Sequence, residues 1–118
     1  MDLRANDALT LRLLGPFALE GATVAVQSMP KKAQAILAYL ARRTSTPVPR
    51  DTLTALLWSD SGDEQARASL RTALSSLRKY LNEQGASLAA NNAGVRLDGE
   101  RIVTDADEFL QLARQGKS

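Results

Sequence analysis

The sequence predicts an α+β domain in which short strands come first, three helices follow, and a hairpin and a short last helix close the chain. Three observations carry this reading. Leu9, Leu11 and Leu13 alternate with Thr10 and Arg12, the period of two expected of a half-buried strand. Between Pro30 and Gly85 the apolar residues recur at helical spacing in three successive stretches. Beyond Gly85, Asn91-Asn92-Ala93-Gly94 separates two short apolar runs, a turn composition that tolerates positive φ and closes hairpins.

Taken in order, Gly15-Pro16 interrupts the first strand, Phe17-Ala18-Leu19-Glu20 resumes it, and Gly21 turns into Thr23-Val24-Ala25-Val26. Three short antiparallel strands follow. Pro30 suits a first helical turn, with Ser28 as a candidate cap, and Ala33, Ile36, Leu37, Leu40 and Ala41 then predict a helix over 30–43. Thr44 to Pro49 ends it. Arg50-Asp51-Thr52 opens a shorter second helix with Leu53, Leu56, Leu57 and Trp58 inward, stopping at the polar turn Ser59–Gly62. A third helix over 63–84 takes Asp63 or Ser61 as its cap, with Asp63 and Glu64 against the positive end of its dipole and Gly85 at its exit. At 100° per residue, Ala66, Leu70, Ala73, Leu74, Leu77 and Leu81 share one arc of about 100°. Ser87–Ala90 and Val95–Leu97 form the hairpin, Ile102-Val103 adds a short strand, and Asp105 caps a last helix bearing Phe109, Leu110 and Leu112.

Composition narrows the chemistry. A chain of 118 residues, 44% hydrophobic and 24% charged, is one ordinary globular domain's worth. It contains no cysteine and no histidine, which excludes disulfide frameworks, thiolate nucleophiles, cysteine- or histidine-ligated zinc and every His-based triad. No carboxylate pair stands in a catalytic frame, so no enzyme activity and no cofactor are expected. Asp60 to Glu64 lack the alternating oxygen ligands and distal Glu of a calcium loop, so no metal is expected either. Neither a membrane span nor a signal peptide is visible, and the expected location is cytoplasmic.

The net charge of +2 conceals a segregation. Residues 31–50 carry Lys31, Lys32, Arg42, Arg43 and Arg50 and no acid, while residues 66–96 carry Arg67, Arg71, Arg78, Lys79 and Arg96 against Glu83 alone. One basic face follows if the two windows meet. A short helix, a brief turn and a long Arg-flanked helix form a helix-turn-helix plan, in which the second helix of the pair enters the major groove. Arg67, Arg71 and Arg78 lie within about 40° of one another beside the apolar arc, and Thr72, Ser75, Ser76 and Lys79 complete the outer face. Guanidinium forks suit guanine O6 and N7 or phosphate oxygens, and short hydroxyls reach phosphates or base edges. The hairpin 87–97 would be a wing carrying Asn91, Asn92 and Arg96, while Lys31, Lys32 and Arg50 sit where helix starts favour phosphate. Several alternatives stay open. Arg67 can pair with Asp63 or Glu64, Trp58 can be core or donate its indole N–H to phosphate, and Asn91-Asn92 can be turn chemistry rather than readout.

Four separated motifs, in order, resemble the N-terminal domain of SARP-type transcriptional regulators. They are Leu11-Arg12-Leu13-Leu14-Gly15-Pro16-Phe17, the run Lys32 to Ala41, Val48-Pro49-Arg50-Asp51 with Leu56-Leu57-Trp58, and the run Ala66 to Lys79. The likeness spans residues 9 to about 110. It implies an OmpR/PhoB-like winged helix with an N-terminal antiparallel sheet that binds double-stranded DNA at direct repeats and helps to recruit RNA polymerase, in a bacterial activator. Residues 1–104 would form that domain, and residues 105–118 the start of a following helical activation-type domain. Ser59–Gly62 is shorter than the corresponding loop of OmpR/PhoB relatives commonly is, so the resemblance carries no polymerase contact onto it. A monomer in isolation and a tandem pair on DNA are expected. The alternative is a winged helix kept as a protein–protein docking module.

Overall fold

Strand β1 (Leu9–Arg12) turns Leu9 and Leu11 inward and pairs antiparallel with β2 (Ala18–Glu20), Leu11 opposite Leu19. The computed structural model describes residues 9–43, 46–98 and 102–106. The other edge of β1 is taken by β5 (Ile102–Thr104), which runs parallel to it, with Leu9 opposite Ile102 and Leu11 opposite Thr104. The sheet is therefore mixed, in the order β2-β1-β5, and not the three consecutive antiparallel strands that alternation suggests. Residues 23–26 look like a strand locally, but other elements take their polar groups. The Thr23 amide donates to Gln84 Oε1 at 2.7 Å, the Val24 carbonyl accepts the Tyr80 hydroxyl at 2.6 Å, and Val26–Ser28 closes a 3-10 turn. Burial pushes the Tyr80 phenol above its ordinary pKa of 10.0, which keeps it a donor.

Helix α1 (Lys31–Ala41) buries Ala33, Ile36, Leu37, Leu40 and Ala41. Pro30 stands at its cap position without a side-chain bond, and Ser28 belongs to the 3-10 turn instead of capping. The helix stops before Arg42 because the amides of Arg42 and Arg43 bond back to the carbonyls of Tyr39 and Leu40 in a tight last turn. Helix α2 (Arg50–Leu57) buries only Leu53; Leu56 is 54% exposed, so the inner side expected for it is corrected.

Helix α3 (Asp63–Glu83) carries the apolar stripe as read, with Ala66, Leu70, Ala73, Leu74, Leu77 and Leu81 all buried and Tyr80 added to them. Gly62 occupies its cap position and neither Ser61 nor Asp63 bonds as a cap; Asp63 and Glu64 act on the dipole from the first turn. The exit is a Schellman motif. The Ala86 amide donates to Leu81 O at 2.8 Å and the Gly85 amide to Asn82 O at 3.1 Å, with Gly85 at φ +79°. A side chain with a Cβ would disfavour that backbone.

Strands β3 (Ser87–Asn91) and β4 (Gly94–Asp98) form the expected hairpin, Asn91 opposite Gly94 at its end. It is docked, not free: Val48 and Val95 exchange backbone hydrogen bonds of 2.7 and 2.9 Å. Gly94 lies against the same segment at φ +145°, where an added Cβ would stand 2.2 Å from the Val48 carbonyl oxygen.

Asp105 does something other than cap. Its Oδ1 accepts the Leu13 amide at 2.7 Å, its Oδ2 accepts the Leu14 amide at 3.1 Å, and Arg12 Nε stands 3.4 Å from Oδ2. Residues 105 and 106 begin the helical turn after β5, and the predicted Phe109, Leu110 and Leu112 lie outside the described residues. Burial alone would raise the carboxyl, but the amides of Leu13 and Leu14, the charge of Arg12 and the Ala106 amide together hold it below its ordinary 3.8. A depressed folded pKa contributes stability that is present at neutral pH and is lost as the pH drops below 3.8 and through the lower folded value. Thermal melts of Asp105→Asn are therefore expected to show lower stability at pH 7 and a flatter decline over that acid window. Superimposable profiles for the two proteins would contradict this role.

Candidate nucleic-acid interface

The apolar stripe of α3 fixes which of its side chains face out. Because the stripe packs against α1, α2 and the hairpin, the flanking guanidinium groups project beside the wing. Arg67, Arg71 and Arg78 are all exposed. Together with Arg50 and Thr54 of α2 and Ser75 they surround a cleft of about 360 Å³, with Leu70, Leu74 and the wing's Ala90 also lining it. The two basic windows of the sequence do meet here, through Arg50 on one side and the α3 arginines on the other. Ion pairs join Arg12 to Glu20, Arg12 to Asp105 and Arg96 to Asp98, and among the described residues none engages Arg67, Arg71 or Arg78. The open alternative of an Arg67 pair with Asp63 or Glu64 is not adopted. Unneutralised guanidinium groups on one helix face form a positive surface for a polyanion.

The remaining outer residues divide. Ser75 joins the arginine cleft, whereas Ser76 and Lys79 line a different recess beside Ser28 and Pro30, at the start of α1. Thr72 is exposed, and Lys31 stands exposed at the first position of α1.

Besides Arg50, whose Nη1 donates to the Asn91 carbonyl at 2.8 Å, three expected contact residues have other partners. The Lys32 ammonium bonds to the Leu57 carbonyl and sits 5.3 Å from the Trp58 ring centroid, so it satisfies the C-terminal end of α2 and ties that helix to α1. In the structure this side chain bridges the two helices. Asn91 Oδ1 accepts the amides of Ala93 at 2.8 Å and Gly94 at 3.2 Å, which selects turn chemistry for that residue and leaves Asn92 exposed at the tip. Arg96 bends along its own strand, donating to Leu97 O at 3.2 Å and pairing with Asp98 at 3.7 Å, because Asp98 follows two positions later on the same strand. Trp58 packs half-buried against the core, and its ring also borders a second cleft of about 410 Å³ between α2 and the start of α3.

Sequence reasoning missed Thr54 and Asp51 of α2, which line both of these clefts. Spacing places Thr54, four positions after Arg50, on the same side of α2, but nothing local shows that this side, or Asp51 beside it, borders α3. Thr54 Oγ1 is partly occupied by the Asp51 carbonyl at 3.0 Å. Asp51 is the acid among the residues lining the arginine cleft and lowers the positive potential along that part of its rim.

A short helix crossing a long, arginine-flanked one, with a hairpin docked beside them, defines a winged helix-turn-helix domain. Residues 26–93, more than half of the chain, match the family model for the C-terminal domain of transcriptional regulatory proteins, and the chain belongs to this OmpR/PhoB-type family of transcriptional regulators. That family is not enzymatic in general. The transcriptional regulatory protein EmbR of Mycobacterium bovis and that of Mycobacterium tuberculosis are each 37% identical to it over 106 residues, covering 86% of this chain and 27% of the relative. The structure of Mycobacterium tuberculosis EmbR in complex with a low-affinity phosphopeptide matches with a TM-score of 0.65 at 34% identity, over 80% of this chain and 26% of that one. EmbR is a SARP-family regulator, so the resemblance read from the motifs is borne out. This chain spans about a quarter of the length of these relatives. Among the described residues no helix is long and apolar enough to cross a membrane.

Proposed function

We propose that this domain binds double-stranded DNA sequence-specifically on behalf of a bacterial transcriptional activator. Helix α3 enters the major groove, Arg71, Arg78 and Ser75 approach base edges, and Arg67 approaches the backbone. Lys31 and Lys79 attract flanking phosphates near the start of α1, and Asn92 reaches from the wing tip. The observation that carries the reading is the row Arg67, Arg71 and Arg78, exposed on one helix face with no acidic partner among the described residues. Residues 1–104 act as the DNA-binding unit and residues 105–118 lead toward a helical activation-type domain. Tandem copies on direct repeats, spaced about one helical turn apart, would present a shared surface to RNA polymerase.

Salt dependence tests the reading. Each neutralised phosphate releases counterions, so log affinity for duplex DNA falls linearly with log salt at a slope of about −0.9 per phosphate. With several Arg and Lys contacts, a duplex selected from random sequences is expected to bind on the order of 10²-fold or more weakly at 200 mM than at 50 mM salt. An affinity insensitive to salt, with retention on a protein partner instead, would favour the docking-module reading.

A further inference from the structure

We propose that Arg50 is a positioning residue: together with Val48 it grips both strands of the wing at their turn and holds Asn92 at the tip in place before DNA is met. The inference rests on the DNA-binding reading above. Arg50 Nη1 donates to the Asn91 carbonyl at 2.8 Å, on the β3 side of the hairpin. Two residues earlier, Val48 bonds reciprocally to Val95 on the β4 side. Asn91 and Gly94 form the last pair of the hairpin, and the Gly94 backbone lies directly against Val48. Residues 48–50 thus hold the wing at its far end, where a two-stranded ribbon would otherwise be free to swing.

The consequence reaches α3. Arg50 and the wing residue Ala90 border the same cleft as Arg71 and Arg78, so the angle of the wing sets the width of the opening through which those arginines act. A two-stranded hairpin on its own is marginal in water, and every degree of freedom it kept would be lost on contact with a duplex. The guanidinium suits the task because its planar fork fixes the direction of the bond it donates, which an ammonium on a flexible stem does not. The competing role for Arg50, a direct phosphate contact at the start of α2, makes opposite predictions for charge.

The experiment combines duplex-binding titrations over a range of KCl concentrations with amide hydrogen exchange on the free proteins, for wild type, Arg50→Ala and Arg50→Lys. Positioning predicts that both variants bind about three- to tenfold more weakly, the worth of one hydrogen bond. Both should keep the wild-type salt slope, and both should exchange the Ala93 and Gly94 amides faster in the absence of DNA. Recovery of wild-type affinity in Arg50→Lys, or a salt slope in Arg50→Ala shallower by about one contact, would make Arg50 a phosphate hand and overturn the proposal. Unchanged wing exchange in Arg50→Ala would overturn it too. Failure of the underlying DNA reading looks different, since the wild-type protein itself would then show no salt-dependent duplex binding.

Discussion

Arg71→Ala and Arg78→Ala are each expected to weaken binding to a selected duplex by ~1–3 kcal/mol, which is about 5- to 150-fold, and to relax sequence preference at the bases they contact. Both side chains stand exposed on one face of α3, beside a stripe whose members are all buried, so the helix cannot rotate them away without unpacking its core. Neither has an acidic partner among the described residues, so truncation leaves no uncompensated charge behind. Melting temperatures should accordingly stay near wild type, as for exposed substitutions away from special features. Arg12→Ala is the control: its guanidinium is spent on Glu20 and Asp105 in the β2-β1-β5 sheet, so it should leave duplex affinity unchanged. Binding by Arg71→Ala and Arg78→Ala that equals the Arg12→Ala control would show that the wrong face has been assigned.

Gly94→Ala is expected to cost stability more than any exposed substitution, roughly 2–4 kcal/mol from backbone strain and steric overlap together. The residue sits at φ +145°, and its added Cβ would meet the Val48 carbonyl oxygen at 2.2 Å, the Val48 carbonyl carbon at 2.5 Å and the Pro49 nitrogen at 2.9 Å. All three neighbours are backbone, so no side chain can swing aside to make room. Relief requires the hairpin to part from residues 48 and 49, breaking the reciprocal Val48–Val95 bonds. Chemical denaturation should show the lost stability, and the Val95 amide should lose its exchange protection. A Gly94→Ala protein as stable as wild type would mean that the wing is not docked on this segment.

Elements set by local periodicity were legible in the sequence. The stripe from Ala66 to Leu81 announced α3 and its buried side, Asn91 to Gly94 announced the turn, and the segregation of Arg and Lys announced the face. Contacts between distant residues were not legible. Period-two alternation at Thr23 to Val26 cannot reveal that Gln84 and Tyr80 take its backbone groups, nor that β5 occupies the free edge of β1 in parallel. The partners of charged side chains and caps were not legible for the same reason. Nothing near Lys32 in the sequence shows that its ammonium meets the end of α2, and Asp105 reads as a cap until the amides of Leu13 and Leu14 turn toward it. Within the site the arginines were found from spacing on one helix, whereas Asp51 and Thr54 required knowing how α2 crosses α3.

Mapping amide and arginine side-chain NMR shifts, as a selected duplex is titrated into the protein, would probe the proposed contact surface at residue resolution. Perturbation gathered on Arg67 to Lys79, the start of α2 and the wing tip at Asn92 is the outcome predicted. Shifts confined to the strands around Arg12 and Val103, with the α3 arginines silent, would place the nucleic acid away from α3 and contradict the account.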